Sequence, residues 1–469
     1  MVSKLKTSRW QNVRPQFWIL SAFLLLVFFT GGSARPDVQS LVVLRPIAVL
    51  LCAVAVFTLT AEHVKSNKAI FSFLAALSAI IILHSIPFPN GLVILYSKAH
   101  IPANVLELAS YGEWIPFSAA PEMTSNTIFS FFVPVTVLAL AVQLDREERF
   151  LLLYLLIGLA LLSSIFAIFQ AVAGYGSPFH LYRLTNEGAA VGLFANRNHQ
   201  ALLLSALFPM LMVFAYGANG GTKPRRWRLN FAIAAGSITI PLLLITGSRT
   251  GLLLGFVCLA SFPLFYKLRI PGEVAVKGKS IRGAVLRLTA ALGAVGLLVV
   301  VTVFASRAEA IKRIFTGNNG EDTRWAIWEH ALHIAWNGFP IGSGSGSFAR
   351  MYQLYEEDSG LTSSYVNQAH NDWLDVFLTL GVSGIVLATC MIFWVLRLSY
   401  AAMRHSPRSS RDAIFARLGM IILFSAAIAS FFDYPMRTPI FNAVGIIAYL
   451  WLDGIRNTNA TPSGPPPSV

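Results

Sequence analysis

Long apolar runs separated by short polar segments set the pattern of this chain. Within a run, apolar residues neither alternate with polar ones nor keep to a single stripe at helical spacing. A run of about 20 such residues crosses a bilayer as an α-helix, whose backbone groups are all satisfied internally. Strands of a membrane barrel would alternate every second residue. The pattern predicts twelve spans: 16–31, 40–60, 69–87, 126–142, 150–173, 199–217, 229–246, 250–266, 284–305, 373–396, 413–431 and 437–452. The expected fold class is an all-α polytopic membrane protein of about 12 transmembrane helices.

One long polar segment interrupts the runs, and it divides the chain. Residues 1–305 carry nine spans, 306–372 form a large outer loop, 373–452 carry three more spans, and 453–469 form a disordered tail ending in Gly464-Pro465-Pro466-Pro467. Inside the loop, Asn318-Asn319-Gly320 is turn chemistry, and Glu321 and Asp322 suit the first turn of a helix. That helix is expected to carry Trp325, Trp328, Leu332 and Trp336 on one face. A Gly/Ser stretch, Gly342 to Ser347, follows and reads as a hinge. Phe348, Met351, Tyr352 and Tyr355 then recur at i, i+3, i+4 and i+7, a second short amphipathic helix. The two helices together are expected to lie on the bilayer surface as a lid.

Composition agrees with the pattern. Hydrophobic residues make up 55% of the chain and charged ones 12%, against about 25% charge in soluble domains. The net charge of +14 does not indicate nucleic acid, because the cations fall in short connections between runs. With the N-terminus inside, the even-numbered connections hold Lys65 and Lys68; Arg146 and Arg149; Lys223, Arg225, Arg226 and Arg228; Lys267 to Arg282; and Arg404, Arg408 and Arg411. Positive-inside topology then places both termini in the cytoplasm. The first run, preceded by Lys4, Lys6, Arg9 and Arg14, reads as a retained span. Cys52, Cys258 and Cys390 sit within apolar runs and indicate neither a disulfide framework nor a metal site.

This topology gathers the chemically interesting residues on the outer side. His370, with Asn371, precedes an apolar helix face formed by Leu374, Phe377, Leu378 and Gly381. It can take a proton from a sugar hydroxyl, bond a phosphate oxygen, or simply cap the helix. Arg249 lies in Thr246-Gly247-Ser248-Arg249-Thr250-Gly251 between two apolar runs, where an arginine faces a polar partner or snorkels to headgroups. Its fork and the hydroxyl of Ser248 suit phosphate oxygens. Arg197 and Asn198 belong to a polar cluster, Asn196 to Gln200. Asp433 and Arg437 bracket Tyr434-Pro435-Met436 and can pair with each other across the turn. Tyr352 and the loop tryptophans read either as an interface belt or as sugar-stacking platforms. Glu329, His330 and His333 lack a further ligand for a metal site.

Thr246 to Gly251 opening a span, a large outer loop, Ala369-His370-Asn371 with Leu374 and Gly381, and Asp433-Tyr434-Pro435-Met436-Arg437-Thr438-Pro439 together resemble the O-antigen ligase and O-antigen polymerase superfamily of bacterial envelopes. The resemblance spans about Phe194 to Pro439 and implies a multi-pass inner-membrane glycosyltransferase with its site facing the periplasm. It implies an undecaprenyl-diphosphate-linked glycan as donor, a glycan or lipid A core as acceptor, the bilayer as surroundings, and no cofactor. By motif, Arg249, His370 and Arg197 take catalytic roles. Ser248, Asn371, Asn198, Asp433, Arg437 and Tyr352 are the expected substrate-binding residues. The competing reading is a polysaccharide flippase or other secondary transporter, with discontinuous helices meeting at mid-membrane.

Overall fold

The computed structural model describes residues 13–96, 114–174, 176–183, 185–186, 188–216, 226–266, 320–356, 366–404 and 410–456. The chain opens with α1 (Pro15–Thr30), α2 (Leu41–Thr58), α3 (Ala61–Ser66) and α4 (Lys68–Ser85). A small antiparallel ribbon pairs β1 (Pro87–Pro89) with β2 (Trp114–Pro116), with α5 (Asn90–Tyr96) between them in sequence. There follow α6 (Pro121–Ala141), α7 (Arg146–Ala173), α8 (Arg197–Tyr216), α9 (Arg226–Ile245), α10 (Arg249–Ala260) and α11 (Pro263–Tyr266). After them come α12 (Gly320–Asn337), α13 (Phe348–Tyr355), α14 (Asp372–Arg404), α15 (Arg411–Phe432), a 3-10 turn (Pro435–Arg437) and α16 (Pro439–Asp453).

Eight of these helices are long and apolar enough to cross a membrane, and three shorter apolar ones, Pro15–Thr30, Arg249–Phe265 and Pro439–Asp453, coincide with further expected spans. The ninth expected span, 284–305, lies outside the described residues, as do 306–319 and the tail from 457. Asp453 to Arg456, expected in the tail, are folded: Arg456 donates to the Ser66 carbonyl at 2.7 Å. Local sequence explains several helix starts. Asp145 and Glu148 form a capping box on α7, with reciprocal bonds of 2.8 Å. Thr438 caps α16, with Pro439 in its first turn.

α8 is the hub of the bundle. Of its membrane-length window 89% is buried, against 28% for α2 and α9 and 22% for α4, which turn broad apolar faces outward. Phe57, Val172 and Phe256 are among the exposed large side chains, a surface that a soluble domain does not present. One end of the bundle is tied by charge: Arg146 pairs with Asp412 and Arg411 with Glu147. The opposite end of α15, with the turn after α1 and the start of α8, borders the polar site described below.

α14 is not continuous. Gly381 has φ of 57°, in the left-handed region that favours glycine, and the stretch Pro340 to Gly344 fits into the break. Val382 donates to the Pro340 carbonyl at 2.8 Å, while the Leu378 and Thr379 carbonyls accept from Ser343 and Gly344 at 3.0 and 2.8 Å. Backbone groups freed by the break are thereby satisfied, as an apolar setting requires. The Gly/Ser stretch expected as a hinge is instead a buried brace, with Ser343, Ser345 and Ser347 all inaccessible.

The outer helices also depart from expectation. α12 buries Ile327, Ala331, Ile334 and Ala335, whereas Trp325, Leu332 and Trp336 point outward. Trp325, Trp328, Leu332 and Trp336 were expected on one face, but Trp328 turns inward against the second core, where the small and aliphatic residues allow close approach to α13 and α14. Phe348, Met351 and Tyr352 of α13 pack into this second core with Ala369 and Leu378, so that face is internal and not laid on the bilayer.

Gly381→Ala should destabilise the protein by about 2 kcal/mol or more, since it adds left-handed strain and a collision with the Pro340 carbonyl. Gly158→Ala, at a helical site of α7 with no atom within 4 Å of the new methyl, should be neutral or stabilising. Thermal unfolding of both variants in detergent is the check, and equal shifts would contradict the brace.

Candidate active site

The site is assembled on a buried carboxylate. α15 ends because Pro435 cannot continue it and restricts Tyr434; Asp433 follows in extended conformation as its C-cap, 2% exposed. Asn196 and Asn198, in the turn leading into α8, donate to Asp433 Oδ2 at 2.9 and 2.6 Å. The Asn198 amide also donates to Asn196 Oδ1 at 2.8 Å, a local turn that keeps both asparagines pointing inward. Arg197 stands between them and lines the cavity above.

His370 reaches the same carboxylate from a third segment, its Nδ1 lying 3.2 Å from Asp433 Oδ1. Its φ of 49° is unusual for a residue with a side chain and marks a held conformation. Both neighbours are fastened. Trp328 of α12 donates through Nε1 to the Ala369 carbonyl at 2.9 Å, and Asn371 Oδ1 accepts from the Trp373 and Leu374 amides at 3.0 and 3.1 Å. Tyr434 closes one side, its ring centroid 5.0 Å from that of His370.

Burial alone would raise the Asp433 pKa, but the hydrogen bond from His370 and the fields of His199, His370 and Arg324 outweigh it and hold the carboxyl well below its usual range. An ionised carboxylate only accepts, so Nδ1 of His370 donates. In neutral imidazole that leaves Nε2 as the basic nitrogen. Burial also raises the Tyr434 phenol, assisted by the neighbouring Asp433 charge.

Above these groups lies a polar cavity of about 260 Å³, walled by Arg35, Asn186, Arg197, Arg324, Asn367 and His370 among others. Three segments remote in sequence thus supply arginines to one space, and a histidine with a basic nitrogen borders it. Such an arrangement binds a polyanion and can accept a proton from a hydroxyl beside it.

The other expected residues are placed elsewhere. Arg437 does not pair with Asp433; it meets buried Asp375 at 2.6 Å and Asp372 at 3.9 Å, beneath the His370 segment. Asp372 further accepts from Ser430 Oγ at 2.9 Å and the Met436 amide at 3.1 Å, locking α14 to the turn after α15. Ser248 caps α10 by accepting from the Gly251 amide at 3.0 Å. Arg249 is exposed at the start of that helix, which packs on α8, and is not among the residues lining the cavity. Tyr352 is buried against Phe348 and likewise does not line it.

Sequence reasoning passed over Arg35, Arg324, Asn196 and Tyr434. Arg35 had a usable signal, a cation in a short outer turn where cations are scarce. Arg324 had none of that kind, because it sits among the polar residues of the long loop and only folding turns it to the cavity.

Asp433→Asn leaves one acceptor oxygen for four donors, the Tyr434 amide at 3.1 Å being the fourth, and should cost about 1–3 kcal/mol. The folded-state pKa of Asp433 is depressed, so its stabilisation is fully present above the usual carboxylate range and fades as pH falls towards the folded value. The melting-temperature advantage of the native chain over this variant should be level from about pH 8 to about pH 5 and shrink only in stronger acid. An advantage already shrinking as pH falls within that interval would contradict the assignment.

No curated protein matches the chain. A family model described as O-antigen ligase matches residues 234–389. The matched stretch carries Arg249, Arg324 and His370, while Arg197, Asn198 and Asp433 lie outside it. Residues 234–389, from inside α9 to midway along α14, are thus similar to the O-antigen ligase family.

Proposed function

We propose that this protein transfers a glycan from undecaprenyl diphosphate to a sugar hydroxyl at the periplasmic face of the bacterial inner membrane, as an O-antigen or exopolysaccharide ligase or polymerase. The observation that carries the reading is the cavity in which His370, backed by Asp433, faces Arg35, Arg197 and Arg324. The sidedness rests on charge: the sequence expects the cation-rich connections inside, and among the described residues Arg146 and Arg411 pair with Asp412 and Glu147 at the end of the bundle away from the cavity.

In the proposed step the acceptor hydroxyl oxygen bonds to the anomeric carbon as the bond from that carbon to the diphosphate oxygen breaks. The electron pair leaves with undecaprenyl diphosphate, and the hydroxyl proton passes to Nε2 of His370. Attack opposite the leaving group inverts the anomeric centre. Arg197 and Arg324 meet the charge that develops on the diphosphate, a task that fixed guanidinium groups perform without a metal. Arg249, at the head of the neighbouring α10, guides the lipid-linked donor towards the cavity. The acceptor is a growing glycan or a lipid A core.

Two features favour transfer over the flippase or transporter alternative. The cavity lies at the end of the bundle, and the break in α14 is filled by the Pro340–Gly344 brace instead of opening onto a mid-membrane site.

With purified protein in vesicles and a synthetic undecaprenyl-diphosphate glycan, His370→Ala should lower product formation by about 10²-fold or more while donor binding persists. Arg324→Ala should weaken donor binding by roughly 10- to 100-fold. Native-level product from the His370 variant would refute the catalytic role, and substrate uptake without glycan transfer would favour the transporter.

A further inference from the structure

α12 is divided lengthwise into three sectors. At about 100° per residue, Ile327, Ala331, Ile334 and Ala335 share the side buried against α13 and α14. Ala326, Glu329, His333 and Asn337 share an exposed side of mostly polar character, with Glu329 at its edge. Between these sectors, Trp325, Leu332 and Trp336 fall within about 20° of one direction and are 67%, 45% and 60% exposed. A helix at a protein–water boundary needs only two sectors. A third, apolar and uncovered, calls for a third medium.

The neighbouring contacts identify that medium. Trp336 packs edge-on against Phe377 of α14 at 5.3 Å between ring centroids, and Phe339 lies 6.5 Å from the same ring. Past Phe377, α14 exposes Val382, Ile385, Val386 and Phe393 along its membrane-length body. The stripe on α12 thus continues into a face that lipid covers. Tryptophan, with an apolar ring and one N–H donor, is the residue that settles at the headgroup level. Along the stripe itself a glycan would find only indole N–H groups to pair with its hydroxyls, the exposed Glu329 carboxylate standing at its edge towards the polar side, which makes it a poor sugar platform.

We propose that α12 is an interfacial helix whose Trp325, Leu332 and Trp336 are seated in the outer leaflet, and that this seat fixes Arg324 at the depth of the lipid phosphates. Arg324 adjoins Trp325 in sequence and lines the cavity. A donor diphosphate anchored by its polyprenyl chain lies at that same depth, so donor and guanidinium meet without either leaving the interface. The seat itself rests on the membrane reading alone. The consequence for Arg324 rests on the transfer reading.

The test uses the full-length chain with Cys52, Cys258 and Cys390 replaced by alanine, nitroxide-labelled singly through Leu332→Cys, Trp336→Cys, Ala326→Cys or His333→Cys, in phospholipid vesicles. Oxygen probes lipid and a water-soluble nickel chelate probes solvent. The oxygen-to-nickel accessibility ratio should be several-fold higher at 332 and 336 than at 326 and 333. Nickel reaching all four sites alike would overturn the seat. So would protection of 332 and 336 from both reagents, which would mean a second copy or another protein covers the stripe. In unlabelled protein, Leu332→Ser with Trp336→Ser should raise the donor KM several-fold, and an unchanged label spectrum at 333 in that background reports an intact helix. A normal seat with an unaltered KM in the serine variant would overturn the link to Arg324 and leave the role of His370 standing.

Discussion

The carboxylate of Asp433 is the constraint on which the site depends. A buried charge is tolerated only when its lone pairs are met by donors held in place. Here those donors come from the start of α8, the approach to α14 and the Tyr434 amide just past α15. Satisfying one oxygen pair therefore fixes three loops at once. The same bonds turn the asparagines inward, leave Arg197 on the cavity side and hold His370 by Nδ1. Local folding and chemical competence are here one requirement.

A second layer keeps that arrangement from relaxing. His370 occupies a left-handed conformation that an unrestrained loop would leave. Trp328 pins the residue before it, Asn371 caps the helix after it, and Arg437 with Asp372 and Asp375 joins that helix to the turn below. One step further out, the break at Gly381 admits the Pro340–Gly344 brace, which ties the first turns of α14 to the outer helices. The histidine is thus supported from the bilayer side and from the loop side.

Much of this was legible in the sequence, and the limits have physical causes. Membrane-length helices follow from the need to satisfy the backbone within apolar runs, so their existence and rough bounds were accessible. The proximity of His370, Asn198 and Asp433 was foreshadowed by topology, which put all three at one end of the chain's spans. What each polar residue pairs with was not accessible. Arg437 and Asp433 are close in sequence, yet the turn sends them to different partners. Arg324 enters the cavity only through the rotation of α12, set by the small residues Ala331 and Ala335. Size outweighed hydrophobicity there: Ala331 and Ala335 took the tight face, Trp325 and Trp336 turned out, and Trp328 turned in to hold the Ala369 carbonyl. Gly342 to Ser347 looked mobile by composition, but glycine's left-handed freedom serves a close-packed brace.

The central claim is that the donor's transferred sugar sits in the cavity bounded by His370, Arg197 and Arg324. The direct measurement is photo-crosslinking in vesicles with an undecaprenyl-diphosphate glycan bearing a diazirine on its first sugar, followed by peptide mapping. The account predicts adducts on the segments around Arg35, Asn186–Arg197, Arg324 and Asn367–His370, reduced by excess unmodified donor. Adducts that are competed equally well but fall on the α4–α6 groove, near Ile82 and Phe131, would contradict it.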